Sequence, residues 1–137
     1  MELNELIKTC TDLVVKFGDA DFNKTLDFSD KSIEAADEII DELHEIYLHP
    51  EKSELNVKEK VKLYSLAFGM YIGEVLLRNH LTDFKWQENE NGPYLYKDEG
   101  NNLNPVGKVM KQIVRGKEEG ESVLLFFAFA VGLSKRG

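Results

Sequence analysis

A mostly helical α+β domain, built round one central buried helix and carrying one antiparallel β-hairpin, is the fold class this sequence predicts. Three observations predict it. Apolar residues recur at helical spacing along most of the 137 residues. One stretch, Leu63 to Leu77, is apolar on nearly every helical face, as a helix enclosed by several neighbours must be. The run Asp83 to Lys97 alternates aromatic and polar residues about an Asn-Gly turn signal. At 42% apolar and 31% charged, the composition suits a single domain over residues 1–137 and excludes a collagen-like, low-complexity or disordered chain.

Along the chain, Leu3, Leu6, Ile7, Leu13, Val14 and Phe17 give a first helix ending near Gly18. Asp19 to Ser29 is polar, anchored by Phe22, Leu26 and Phe28, and reads as an irregular connection. In the second helix Ser29 or Ser32 supplies the N-cap, and Glu34 favours the positive end of the dipole. Its apolar stripe is Ile33, Ala36, Ile39, Ile40, Leu43, Ile46 and Tyr47. Its other face carries Glu34, Asp37, Glu38, Asp41, Glu42 and Glu45, with no Lys or Arg before Pro50 stops the pattern. The buried third helix spans about Val57 to Asn79.

The hairpin follows, with Pro93 just after its turn, where a missing amide donor is tolerated. Asn104-Pro105 places a cap and then proline at the first position of a short helix. That helix buries Val106, Val109, Met110, Ile113 and Val114 and stops at Gly116. Gly120-Glu-Ser122 starts a last helix through an eleven-residue apolar run, Val123 to Leu133. A membrane span needs roughly 18 apolar residues, so this run reads as a buried helix.

Charge is unevenly placed. Of the net −8, residues 1–60 contribute sixteen acids against seven bases, and residues 61–137 nine against ten. An acidic front half repels phosphate backbones, which argues against nucleic acid and for a basic protein partner. The single cysteine, Cys10, forms no internal disulfide and no zinc set, and Met1 to Lys16 lacks the apolar core of a secretory signal. A cytoplasmic chain without membrane attachment is expected.

Few residues carry a chemical suggestion. Gly69 and Gly73 share one helix face and admit a close neighbour, either the hairpin or the last helix. Glu74 and Arg78 are spaced i, i+4, with Tyr71 one turn earlier. Glu74 reads as a structural carboxylate paired with Arg78 and tied to a hairpin amide, or as an acid or base of raised pKa. His80 lies at the helix exit, placed to cap its last carbonyls. Asp41 and His44, at i, i+3, have a metal-site spacing but no second matching pair, so neither metal nor cofactor is expected. Trp86, Tyr94 and Tyr96 form an aromatic platform or one side of the core. Lys108, Lys111 and Arg115 make a small basic face, suited to an internal or intersubunit salt contact or to an anionic ligand. No phosphate loop, GxSxG or HExxH is present.

Leu26-Asp-Phe-Ser29, Tyr71-Ile-Gly-Glu74-Val75 with Leu76-Leu-Arg78, the Trp86 hairpin and Asn104-Pro105 together resemble small bacterial α+β proteins of uncharacterised families. In size and acidity the chain is also similar to some toxin-immunity proteins. The charge asymmetry and the missing catalytic set point to a non-enzymatic binding module, to which the resemblance lends a concrete form, an immunity-type inhibitor. Asp37, Glu38, Asp41, Glu42 and Glu45 would meet a basic partner, with hairpin aromatics as anchors. The alternative is a small enzyme or ligand-binding domain with a pocket between central helix and hairpin, lined by Tyr71, Glu74, Arg78 and Trp86. A third reading is a homo-oligomer burying aromatic or apolar surface between subunits.

Overall fold

The computed structural model describes residues 2–135; Met1, Arg136 and Gly137, part of the single domain read over 1–137, lie outside the described residues. Within the described residues the chain runs through five α-helices and three short strands that contribute to one apolar core. Helix α1 spans Leu3–Phe22, passing Gly18 and ending one turn later at Asn23, which takes the left-handed conformation (φ 53°). Asparagine tolerates that conformation better than most side chains. Gly18 marks a close approach, not a stop: a Cβ there would lie 2.8 Å from Leu26, which folds back against the helix.

Helix α2 spans Ser32–Leu48. Ser29 sets its start, because its hydroxyl accepts from the Ser32 amide (3.2 Å) while its carbonyl accepts from the Ser32 hydroxyl (2.6 Å). Pro50 opens a short 3₁₀ turn, Pro50–Lys52. Helix α3 spans Val61–Asn79, starting four residues later than its apolar pattern, since Val57 is buried from within a preceding turn. Phe68 to Gly73 are buried without interruption, so α3 is the central element that the sequence predicts.

Strand β1 (Lys85–Asn89) pairs antiparallel with β2 (Gly92–Asp98) through a two-residue turn, with Trp86 opposite Leu95. A third strand, β3 (Asn101–Leu103), extends the expected hairpin to a three-stranded sheet of order β1-β2-β3. Its turn is closed by Asp98, whose carboxylate accepts from the Gly100 amide (3.0 Å) and the Asn101 side-chain amide (2.9 Å). Three residues are too few to show alternation, which is why the sequence pattern carried no sign of it.

Helix α4 (Pro105–Arg115) begins as its Asn-Pro pair requires: Asn104 Oδ1 accepts from the Gly107 amide at 2.9 Å. Helix α5 (Val123–Ser134) is capped by Ser122, which accepts from the Leu125 amide at 3.3 Å. Helix α4 lies against α3, α2 and α5, and α1 covers another side of α3. Both glycines of α3 mark these contacts. Gly69 faces the backbone of Val106 in α4, and Gly73 lies under the Trp86 ring of β1. The hairpin therefore fills one half of the groove, while α4, not the last helix, fills the other.

Candidate functional site

The acid-rich face of α2 divides in two. Asp37 and His44, seven residues apart, lie along the edge of the apolar stripe and turn toward α4. His44 Nδ1 is 2.7 Å from the Ile113 carbonyl oxygen, and its ring fills the space where Gly116 (φ 84°) has no side chain. Asp37 is only 3% exposed. Gln112 of α4, wholly buried, donates from its Nε2 to Asp37 Oδ1 (2.9 Å) and to Asp41 Oδ1 (2.9 Å). Its Oε1 accepts from the amide of Val123 at the start of α5 (2.7 Å). Lys117, in the 3₁₀ turn Lys117–Glu119, reaches Asp41 Oδ2 (2.6 Å) and Asp37 Oδ2 (3.8 Å). Two of the five acids expected to meet a partner thus hold the interior together, and their countercharge comes from a distant segment.

Burial is the larger influence on Asp37 and raises its pKa above 3.8. The Gln112 hydrogen bond pulls it down, Asp41 and Glu38 push it up, and Lys117 pulls it down. A carboxyl that binds its proton more tightly folded than unfolded contributes stability at low pH. That contribution is lost as pH rises above about 3.8 through the raised folded value. Asp37→Asn keeps an oxygen for Gln112 and removes this titration. Its stability relative to the native chain is therefore expected to rise as pH climbs from about 4 toward neutrality, measured by urea melts at several pH values. An unchanged difference would mean that Asp37 titrates as it does in the unfolded chain.

The remaining acids are exposed. Glu38 pairs with Lys24, whereas Glu42 and Glu45 join Asp21 of α1 and Glu54 in a groove of about 680 Å³. Phe22, Ile46 and Leu55 give that groove an apolar lining, and Lys52 is its one cation among the described residues. Asp21 and Glu54 were not singled out in the sequence; they belong to segments on either side of α2 in the chain, and only the fold brings them beside Glu42.

Glu74, Arg78 and Trp86 come together in a paired arrangement, which Tyr71 adjoins only through Phe28. Trp86 Nε1 donates to Glu74 Oε2 (3.1 Å), and Arg78 to Glu74 Oε1 (3.3 Å). The carboxylate is tied to the hairpin through an indole and not through a backbone amide. Arg78 also stacks over Phe28, 3.8 Å from the ring centre. The Tyr71 hydroxyl is directed elsewhere, accepting from the Phe28 amide (2.9 Å) and lying 2.6 Å from the Ser32 hydroxyl. Burial raises its pKa above 10.0. Asn79 donates to the Phe28 carbonyl (3.0 Å), and His80 pairs with Asp30 (2.6 Å) instead of capping α3 with its ring. These contacts fix Phe28 in the left-handed conformation (φ 65°), costly for an aromatic residue, and so set the turn that starts α2.

The Trp86 ring occupies the space over Gly73 between central helix and hairpin. The depression beside Glu74 and Arg78, about 420 Å³, is bounded instead by α1, where Lys8 and Asp12 are themselves paired at 3.1 Å. The hairpin aromatics separate by face: Trp86 and Leu95 turn inward, while Tyr94 and Tyr96 pack edge to face on the other side of the sheet. Burial raises the thiol pKa of Cys10 above 9.0, which leaves it a poor nucleophile at neutral pH. Among the described residues no group of three or more His, Cys, Asp or Glu is placed to hold a metal, and no helix is long and apolar enough to cross a membrane.

Two of the three basic residues of α4 find an acid near at hand: Arg115 and Lys108 lie 3.6 and 3.9 Å from Glu121, just ahead of α5. Beside them α4 and α5 enclose a second groove, of about 480 Å³, lined by Lys108, Lys111, Leu125 and Phe129 among others. Comparison with protein-family models, curated proteins and solved structures found no match for the chain, so the class its fold defines is a helical α+β domain with a small antiparallel sheet.

Proposed function

We propose that the chain is a non-enzymatic protein-binding module that receives a basic segment of its partner in the groove between α1 and α2. The observation that supports this is the groove's rim: Asp21, Glu42, Glu45 and Glu54 stand around an apolar lining with Lys52 as the only cation among the described residues. Neither α1 nor α2 has a basic residue in its last turn, so the negative ends of both helix dipoles add to the same field. A lysine or arginine fits such a site twice over, its aliphatic stem against Phe22 and Ile46 and its charge against the rim. The net charge of −8 steers a basic partner toward the molecule from a distance. An immunity-type inhibitor, acting in the cytoplasm on a basic enzyme, is the concrete form of this reading. The pairing of Glu74 with both Arg78 and Trp86 favours a structural role for that carboxylate over a catalytic one.

The experiment is capture from lysate of the native host at low and moderate salt, read by mass spectrometry. Its control is the variant Glu42→Lys/Glu45→Lys/Glu54→Lys. A basic protein retained by the native chain, weakened by salt and bound at least tenfold less by the variant is expected, because like charges across an interface cost several kcal/mol. Asp37→Asn, which alters an interior acid, should leave retention unchanged. Equal retention by native chain and triple variant would refute the proposal.

A further inference from the structure

The geometry points to a second docking groove, between α4 and α5, that takes an acidic amphipathic helix of a partner protein. Helix α5 is apolar on every face, yet only Val123, Phe126, Phe127 and Ala130 are buried. On its outer side Leu125 is 69% and Phe129 57% exposed. A contiguous apolar surface of this kind marks an interaction site more often than chance. Leu125 and Phe129 form one wall of the 480 Å³ groove, Lys108 and Lys111 belong to the other, and Leu103 and Phe126 lie between, both nearly buried.

Charge decides the occupant. Among the described residues the lining holds two lysines and no carboxylate. Lys111 has no carboxylate within 4.0 Å among the described residues, and Lys108 has only the distant Glu121 oxygen at 3.9 Å. Leu125 and Phe129 are spaced i, i+4, and Lys108 and Lys111 i, i+3, so each wall is one helical turn. Between them fits a helix with apolar anchors at i, i+3 or i+4 and i+7 and acids on its flank. A second copy docked across a two-fold axis would set an equally basic groove against this one. A bilayer would meet the outer ridge of α5 without filling the groove. The proposal is independent of the acidic groove, which selects the opposite charge.

The test is selection of a displayed library of helical segments that carry this apolar pattern, with flanking positions drawn from Asp, Glu, Lys and Gln. The whole chain serves as bait. Segments rich in Asp and Glu are expected, with affinity at least tenfold lower for Lys108→Glu/Lys111→Glu and, separately, for Phe129→Ser. Circular dichroism verifies that each variant folds. Basic or charge-indifferent flanks, or no retained segment, would overturn the proposal. So would binding that survives both variants but is lost in Glu42→Lys/Glu45→Lys/Glu54→Lys, which would place it in the acidic groove. A dimer in sedimentation velocity that Leu125→Lys abolishes would assign the groove to a second copy, and cosedimentation with phosphatidylglycerol vesicles abolished by the same change would assign it to a membrane; either would overturn it too.

Discussion

Replacing Gly69 with alanine is expected to destabilise the protein by about 3 kcal/mol, at the upper end of overpacking costs. On helix propensity alone the sign would be the reverse, since alanine is favoured over glycine by ~1 kcal/mol inside a helix. The difference lies in what the new methyl group meets. A Cβ on Gly69 would sit 2.5 Å from Val106 Cα and 2.7 Å from its backbone nitrogen. These are atoms of α4's first turn, fixed by the Asn104 cap and by Pro105, so they cannot rotate away as a side-chain tip would. Helix α4 must instead retreat from α3 as a body, opening contacts along the whole interface. Gly132→Ala is the control. Nothing lies within 4 Å of its Cβ, so the same substitution in α5 should be neutral or stabilise by up to ~1 kcal/mol. Denaturant unfolding followed through Trp86, the single tryptophan, reads both variants, because its ring packs on Gly73 one turn along α3. A Gly69→Ala variant as stable as Gly132→Ala would mean that α3 and α4 are not in contact here.

What the sequence made legible, and what it did not, follows from the range of the forces involved. The helices were readable because their apolar periodicity is local, and so was the Asn104-Pro105 start of α4, where cap and proline are adjacent in the chain. The central position of α3 was readable from the absence of a polar face. The end of α1 was misplaced because Gly18 serves Leu26, a contact that exists only after the chain has turned back. Strand β3 was missed because it has no pattern of its own and is defined by its pairing with β2.

The candidate sites divide along the same line. That Gly73, Glu74, Arg78 and Trp86 would interact was partly visible, since i, i+4 spacing and an intra-helical glycine constrain their neighbours. The acidic face of α2 was visible as composition but not as geometry. A carboxylate at the edge of an apolar stripe is exposed or buried according to what packs alongside, and α4 covers Asp37 while leaving Glu42 and Glu45 open. The apolar run of α5 was expected to be buried because it lacks charge, yet burial needs a neighbour on each side. Leu125 and Phe129 have one on only one side. Both grooves are assembled by residues from separate segments, which no local pattern records.

Gln112→Leu is expected to cost about 3–5 kcal/mol, since it leaves a buried carboxylate and a buried amide without partners at roughly 1–3 kcal/mol each, more for the charged group. Leucine matches glutamine closely in volume, so the loss is not one of packing. It comes from three hydrogen bonds converging on one amide. Its nitrogen donates to two carboxylates that can only accept, and its oxygen accepts from the Val123 amide, so neither end can be reversed without two groups losing their partners. Without it, the Asp37 carboxylate stays 3% exposed with no hydrogen-bond donor on Oδ1, and Lys117 at 3.8 Å, itself half in solvent, compensates weakly. The Val123 amide, one of the unpaired donors at the start of α5, is stranded as well. Gln112→Glu separates these two losses. It retains an oxygen for Val123 but sets a third carboxylate against Asp37 and Asp41, so its penalty should shrink as the pH falls and these groups take up protons. The leucine variant has no added acid, and its deficit relative to the glutamate variant should therefore widen in acid. Urea melts of both variants at about pH 5 and about pH 7 decide it. A glutamate variant whose penalty is the same at both values would show that the three side chains do not share one buried site, and would remove the electrostatic reason for Asp37 to lie inward beside α4.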